Sequence, residues 1–201
     1  MKKYIAIFCV YLLWSCTTSK KTKCTDLSDI QPKSYAEVYS SIDSLVNHKF
    51  VKGYLEFPWK LKENHGFRTI LGNPCTYKSG LIAILKNDSL DVTHRLFALH
   101  GLERLCIDDY IEVLTIVYDL YKSKKVNEAF MISAIATEDF SMDVAKNYKN
   151  IHLQEILKDV LHILESENQK KFVNSVLSGK RWKYLKAYYR DSGEPRPWTC
   201  D

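Results

Sequence analysis

The stretch that decides the fold is DDYIEVLTIVYDLYK, residues 108–122. Its apolar side chains are spaced as on a helix and extend nearly all round it: Ile111, Val113, Leu114, Ile116, Val117 and Leu120. An apolar surface on every side is typical of a helix that is packed on several faces. Asp108 is the expected N-cap, because its carboxylate can accept from free backbone N–H groups. We therefore expect a central helix from Asp108 to about Lys122.

Helical periodicity continues on both sides of this segment. Ser34 and Glu37 fit a capping box ahead of an apolar pattern that ends near Phe50. The other predicted helices cover 77–86, 91–105, 127–138, 141–149, 151–165, 169–177 and 181–190. Gly179 is the expected C-cap of the 169–177 helix. Because the connections are short, we predict an all-α domain of antiparallel helical hairpins, packed as a bundle or a short solenoid.

Residues 51–76 interrupt this pattern. They hold five of the Gly and Pro residues, together with Tyr54, Phe57, Trp59 and Phe67. We expect an irregular insertion, with short hairpin strands at 54–55 and 68–71. Its aromatic side chains are expected to pack under the loop, and exposure toward a ligand is the alternative.

The composition agrees with one globular domain. The chain has 201 residues, of which 46% are hydrophobic and 26% charged, and this length suffices for a hydrophobic core. Only 7 Gly and 5 Pro occur, which argues against a loop-rich all-β fold. The formal net charge of +5 is too small to indicate a dedicated DNA-binding protein.

One predicted helix resembles a repeat family. The residues Asp91-Val92, Arg95 and Ala98, with Leu96 and Leu99, resemble a HEAT-type repeat, and the resemblance extends over residues 77–165. It implies a short HEAT-like solenoid that serves as a scaffold for a partner protein.

The N-terminus has the pattern of a secretory signal peptide. Lys2 and Lys3 precede the apolar run IAIFCVYLLW, residues 5–14, and the polar stretch TTSKKTK follows closely. The apolar run is too short to span a bilayer, for which a helix needs about 20 residues. A positive start followed by a short apolar run indicates export.

The end of the apolar run, Leu13-Trp14-Ser15-Cys16, resembles the lipobox of bacterial lipoproteins. The resemblance implies cleavage before Cys16 and attachment of fatty acyl chains, such as palmitate, to its thiol and new amine. Residues 1–15 are then the signal peptide, residues 16–33 the lipidated Cys and tether, and residues 34–201 the helical domain. Position 17 is not Asp and the tether is not acidic, which favours the outer membrane and its periplasmic leaflet. The alternative is an ordinary signal peptide with a coincidental Cys.

After lipidation of Cys16, four cysteines remain in the mature chain: Cys24, Cys75, Cys106 and Cys200. In an oxidising compartment this number is compatible with two disulfides in any of three connectivities. Pairing Cys24 with Cys200 would fix both ends of the chain. The alternative for Cys106 is a buried free thiol on an apolar helix.

The sequence predicts no metal site, no cofactor and no catalytic motif. The pairs His94 and His100, and His152 and His162, diverge around their helices, and neither HExxH nor GxSxG occurs. The one catalytic alternative uses Cys75, whose thiolate a helix N-terminus would favour, with His65 as its base. Such a site would belong to a hydrolase acting on peptidoglycan or peptide.

The C-terminal stretch combines basic and aromatic residues. The candidates for partner binding are Lys180, Arg181, Trp182, Lys183, Tyr184, Lys186, Tyr188 and Arg190. Such a surface suits nucleic acid, but the predicted compartment argues against that partner. Anionic lipid headgroups, an acidic protein, and a solvated helix with its aromatic rings in the core remain as alternatives. Among the binding alternatives we favour a protein partner.

Together these patterns predict an envelope lipoprotein, lipid-anchored to the membrane, that binds a protein and is not an enzyme. A small helical envelope lipoprotein without an active-site pattern resembles, in kind, immunity proteins that neutralise toxins delivered by neighbouring cells. The alternatives are a structural or assembly lipoprotein of the cell envelope and the Cys75–His65 hydrolase.

Overall fold

Helices make up most of the computed structural model, which describes residues 23–24, 30–47, 65–136 and 143–193. The helices are α1 (Tyr35–Asn47), α2 (His65–Gly72), α3 (Pro74–Lys86), α4 (Val92–Gly101), α5 (Ile107–Lys122), α6 (Glu128–Ala136), α7 (Ile151–Ile163), α8 (Glu167–Leu177) and α9 (Lys180–Asp191). The helix predicted at 141–149 is too long, because its described part is a single helical turn at 143–146 followed by turn residues at 147–149. No strand occurs in the described ranges, and the all-α prediction is confirmed.

The helices pack mainly on helices close to them in the chain. Helices α1 to α4 contact one another, and α3 also contacts α5. Helix α5 packs on α6 and α7, and the array continues from α7 to α8 and from α8 to α9. Helix α5 therefore joins the first four helices to the later ones, as its nearly continuous apolar surface predicts.

One hydrophobic core runs through this array. It extends from Val38 on α1 to Val176 on α8, and its large fully buried side chains include Phe97, Tyr110 and Phe130. A second, small cluster of Ala145 and Leu185 holds α9, with Trp182 and Tyr189 packed against it. Helix α9 thus lies at the edge of the main core.

Two of the capping signals in the sequence, the box at Ser34 and Glu37 and the glycine after α8, form as expected. The Ser34 backbone N–H donates to Glu37 Oε2 over 3.0 Å, and the Glu37 N–H donates back to Ser34 Oγ over 3.4 Å. These reciprocal bonds satisfy backbone donors at the start of α1. Gly179 follows α8 with φ of +70°, the left-handed conformation that glycine adopts without a steric penalty.

The predicted strand at 68–71 is wrong. These residues lie within helix α2, where Phe67 and Ile70 are buried. Two positions three residues apart share one face of a helix, so their burial on one side favours helix over strand. The other predicted strand, at 54–55, lies outside the described residues, as do the aromatic residues Tyr54, Phe57 and Trp59. Helix α2 and the start of α3 therefore occupy the second part of the segment predicted to be irregular, and its first part lies outside the described residues.

Several helix boundaries also differ from the prediction, three of them for a clear physical reason. Helix α3 begins at Pro74 rather than residue 77, because proline fits the first turn, where its missing N–H is not needed. Helix α4 ends at Gly101 rather than residue 105, and Asp91 is its N-cap. Cys106 rather than Asp108 occupies the N-cap position of α5. Asp108 instead lies in the first turn, where its negative carboxylate interacts favourably with the positive end of the helix dipole.

The connection from α4 to α5 is buried together with its charged side chains. Residues 95–107 are all buried, including Arg95, His100, Glu103 and Arg104. Arg95 donates from Nε to the Leu85 carbonyl over 3.0 Å and from Nη1 to the Lys125 carbonyl over 2.9 Å. His100 Nδ1 contacts Glu103 Oε1. These contacts satisfy polar groups that would otherwise destabilise the interior.

Candidate functional site

Helix α9, the basic and aromatic helix predicted from the sequence, begins at a tightly packed glycine. A Cβ atom on Gly179 would lie 2.8 Å from the ring of Tyr148. The Gly179 carbonyl also accepts from the Lys183 N–H over 3.1 Å. Only glycine fits this combination of positive φ and close approach, so Gly179 fixes the direction in which α9 leaves α8.

The inner side of α9 packs against the protein. Leu185 is buried, and Trp182 and Tyr189 lie partly buried beside Ala145. The structure therefore assigns the Trp182 indole mainly to packing, although the sequence pattern groups it with the partner-binding residues. The alternative of a solvated helix with its aromatic rings in the core therefore holds for Trp182 and Tyr189, on the inner side of α9.

The outer side of α9 carries the other candidates. Tyr184 and Tyr188 are 58% and 42% exposed, and their rings stack with centroids 6.4 Å apart. With 100° between successive residues, Arg181, Tyr184 and Tyr188 share one flank, whereas Lys183, Lys186 and Arg190 share the other. Lys180, the first residue of the helix, is exposed and lies between the two flanks. We call Lys180, Arg181, Lys183, Tyr184, Lys186 and Tyr188 the α9 surface.

The cations of the α9 surface have no carboxylate partner among the described residues. Arg190 differs, because it donates to Asp191 over 2.7 Å, and this contact raises the pKa of Arg190 and lowers that of Asp191. Elsewhere many lysines are paired, as in Lys33 with Glu37 and Lys125 with Asp88. Among the described residues, no carboxylate therefore compensates the charge on the α9 surface.

Arg181 lies between two aromatic rings. Its guanidinium carbon is 5.4 Å from the ring centroid of Tyr184 and 5.7 Å from that of Phe172 on α8. Both distances are within the range of cation–π attraction. Its Nε atom is buried and has no hydrogen-bond partner in the described ranges. No sequence pattern predicts this arrangement, because Phe172 belongs to another helix.

The cysteines are the second group of candidates, and those that the structure describes are all in disulfide bonds. Cys24 and Cys75 form a disulfide with their Cα atoms 5.3 Å apart. Cys106 is also disulfide-bonded, so its interpretation as a free thiol is wrong, and Cys200 lies outside the described residues. Pairing of Cys24 with Cys200 is wrong as well. Cys16, the predicted lipidation site, is outside the described residues.

The disulfide bears directly on the hydrolase alternative. Cys75 lies at the second position of α3, so it is at a helix N-terminus as the hydrolase alternative requires. Its side chain is buried, however, and its sulfur is bonded to that of Cys24. A disulfide sulfur has no thiolate to attack a carbonyl. His65 is exposed at the start of α2.

The described histidines do not form a cluster. His94 lies against Asp43 (3.1 Å from Nε2) and stacks on Tyr39, while His152 is exposed beside Glu155. Within the described ranges, no group of three His, Cys, Asp or Glu side chains could hold a metal ion. His48 lies outside these ranges.

Sequence reasoning missed a shallow groove on the first helix. An open groove of about 510 Å³ is lined by Lys33, Ala36, Glu37, Ser40, Ser41 and Tyr77. Its Lys33 and Glu37 are paired with each other over 2.8 Å, and Ser41 donates to the Glu37 carbonyl. These groups are already satisfied, so they offer little charge to a ligand.

Comparison with protein families, curated proteins and solved structures found no match. Within the described residues, none of the helices combines the length and apolar character that crossing a membrane requires.

Proposed function

We propose that this chain is a lipid-anchored envelope protein that binds an acidic protein partner through the α9 surface and performs no catalysis. The observation that carries the proposal is a set of cations that have no carboxylate partner among the described residues, beside two exposed, stacked tyrosines on one helix. Basic residues attract an acidic partner over long range, and exposed Tyr and Arg are typical binding anchors. The charge supplies attraction, and the rings supply apolar area for contact.

The position of α9 in the array supports this proposal. Among the described helices, α9 packs chiefly on α8, at the other end of the series of contacts from α1 to α4. Lys23 and Cys24, which lie within the predicted tether, are bound to α5 and α3 through Asp108 and Cys75, respectively. A partner could therefore approach α9 without displacing the chain next to the anchor.

The lipid anchor is the second part of the proposal, and it rests on the motif ending at Cys16. We expect the protein to be labelled by a palmitate analogue and to sediment with outer membranes. Cys16→Ala should abolish both, whereas Cys200→Ala should leave the labelling unchanged. Equal labelling of the Cys16→Ala chain would contradict this part and favour an ordinary signal peptide.

Immunity to a delivered toxin is the specific function we propose first. Its test is a competition on a solid surface between the parent strain and a mutant that lacks the gene. We expect the mutant to be lost only when it touches the parent. A copy of the gene should rescue the mutant, and a copy carrying Arg181→Glu and Lys183→Glu should fail to do so.

Other outcomes of the competition point elsewhere. Equal survival of the mutant would contradict immunity and leave a structural or assembly role, in which the α9 surface would hold an envelope complex together. Rescue by the charge-reversed copy would contradict the role of the α9 surface. To exclude misfolding, the reversed protein should reach the membrane in the same amount as the protein carrying Lys158→Glu, a reversal on the separate helix α7.

A further inference from the structure

We infer that Arg181 is the residue by which the α9 surface recognises a carboxylate of its acidic partner, while the lysines of that surface only attract it. This inference rests on the proposed function and adds a division of roles within it. It identifies the partner's chemistry as a protein segment in which Asp or Glu lies beside an apolar side chain. The carboxylate would pair with Arg181, and the apolar side chain would pack on Tyr184 and Tyr188.

The first argument is that Arg181 is held in place before any partner arrives. Its guanidinium lies between the rings of Phe172 and Tyr184, at 5.7 and 5.4 Å from their centroids. A side chain that is already ordered loses less conformational entropy on binding. Lys183 and Lys186 are exposed and stack on no ring among the described residues, so each must be ordered by the partner.

The second argument is that the Arg181 guanidinium makes no hydrogen bond within the part of the chain that the structure describes. Its Nε is buried without a hydrogen-bond partner there, and its guanidinium lies against the rings of Phe172 and Tyr184. By contrast, Arg95 donates to two carbonyls and Arg190 donates to Asp191. Since Arg181 is partly exposed, its terminal nitrogens are the donors that a carboxylate can reach, in the paired geometry that arginine provides.

The third argument concerns the neighbours of Arg181. Tyr184 and Tyr188 form an exposed aromatic strip on the same flank. An aromatic strip beside a cation suits a protein segment of mixed apolar and acidic character better than a uniformly charged surface. Anionic lipid is the competing occupant, and competition between peptide and lipid separates the two.

The test measures binding of fluorescein-labelled peptides to the lipoprotein purified in detergent. The probe is a peptide of alternating Glu and Leu, and its control replaces every Glu with Gln. The key variants are Arg181→Lys and Arg190→Lys, which make the same exchange on one helix and preserve the charge. We expect Arg181→Lys to weaken Glu-peptide binding by roughly tenfold, because lysine cannot reproduce the stacked, paired geometry. Arg190→Lys should change it by less than about twofold, because Arg190 is already paired.

Two further variants check the division of roles. Tyr184→Leu, at an exposed position, should also weaken binding because it removes one of the two rings that hold Arg181. Lys183→Gln should weaken binding at low salt, and the difference should vanish at high salt, as expected for attraction through solvent. If Lys183→Gln and Arg181→Lys have the same salt-dependent effect, Arg181 has no special role and the inference is overturned.

The remaining outcomes separate this inference from the proposed function. Equal binding by Arg181→Lys and Arg190→Lys, with the Glu peptide still preferred over the Gln peptide, overturns the inference and leaves the function standing. Failure of the unaltered protein to prefer the Glu peptide overturns both. Displacement of the peptide by short-chain phosphatidylglycerol, but not by short-chain phosphatidylcholine, would assign the surface to anionic lipid instead.

Discussion

Asp109 shows what a single buried carboxylate does in this chain. Its Oδ2 accepts from the Cys24 N–H over 2.8 Å, and its Oδ1 accepts from Lys78 Nζ over 3.0 Å. Lys78 also contacts Glu112 over 3.0 Å. Burial lowers the pKa of Lys78, but the hydrogen bonds and charges of Glu112 and Asp109 outweigh it and raise that pKa overall. Asp109 thus joins the segment before α1 to both α3 and α5.

We predict that Asp109→Ala lowers the free energy of unfolding by about 2–3 kcal/mol, because it leaves Lys78 and the Cys24 N–H without their buried acceptor. Glu112→Gln is the control, since the Glu112 side chain is 54% exposed and should change stability by less than about 1 kcal/mol. Urea unfolding with the disulfides intact measures both. Equal effects of the two substitutions would mean that the buried acceptor contributes nothing special.

The capping box at α1 predicts a pH dependence. Hydrogen bonds from Lys33 and Ser34 lower the pKa of Glu37 from 4.5 to about 2. Because the folded-state pKa is depressed, the stabilisation is present above pH 4.5 and is lost as the pH falls toward 2. Glu37→Gln should therefore reduce the loss of thermal stability across this range, as measured by circular dichroism. Asp159→Asn, the same kind of exchange at an exposed position on α7, is the control. An identical pH profile for Glu37→Gln and the unaltered protein would refute the role of the box.

At the scale of elements, the contact between α1 and α3 depends on a small residue. A Cβ atom on Gly80 would lie 2.5 Å from Val38 Cγ2, and Val38 is fully buried. Alanine favours a helix by about 1 kcal/mol over glycine, but overpacking a core typically costs about 1–3 kcal/mol. The close approach at Gly80 makes the packing effect the larger of the two.

We predict that Gly80→Ala destabilises the protein by about 1–2 kcal/mol. Val38→Ala alone should also destabilise, because it leaves a cavity. The double variant should be more stable than the sum of the two single effects predicts, since the new methyl group fills part of the space that Val38 vacated. Gly72→Ala is a useful control, because a Cβ atom added at Gly72 would have nothing within 4 Å of it. If the changes in the free energy of unfolding caused by the two single variants simply add in the double variant, α1 and α3 can move apart to accommodate the new methyl group.

An element could be predicted from the sequence where the interactions that form it join residues close together in the chain. The capping box at Ser34 and Glu37 and the break after α8 at Gly179 use neighbouring residues, so the sequence displays them directly. Helix α2 escapes prediction because its glycines suggest a turn, whereas the burial of Phe67 and Ile70 against other helices decides its form. The basic and aromatic candidates on α9 are visible in the sequence. The ring of Phe172 over Arg181 is not, because it depends on how α8 and α9 pack.

At the scale of the whole molecule, disulfides join distant segments. The bond from Cys24 to Cys75 spans 51 positions and, by restricting the unfolded chain, is expected to stabilise the fold by about 3–4 kcal/mol. Cys106 is bonded as well. Since Cys24 and Cys75 bond each other, and Cys9 and Cys16 belong to the predicted leader and lipidation site, we propose Cys200 as the partner of Cys106.

A peptide map of the unreduced lipoprotein tests this connectivity. We expect two crosslinked pairs, Cys24 with Cys75 and Cys106 with Cys200, and no reactive thiol in the denatured protein until reductant is added. The reduced protein is the control and should yield every cysteine peptide separately. A reactive thiol at Cys75 in the unreduced protein would contradict the connectivity and revive the hydrolase alternative.

The central claim is that the α9 surface is where this protein meets an acidic partner. Its most direct test replaces Tyr184 with a photo-crosslinking residue in living cells, with Ile151 on α7, 70% exposed, as the matched position. The account predicts a light-dependent adduct with an acidic protein at position 184, absent at position 151 and lost when Arg181 and Lys183 are both changed to Glu. Equal adducts at both positions, or an adduct at 184 that survives the charge reversal, would contradict the claim.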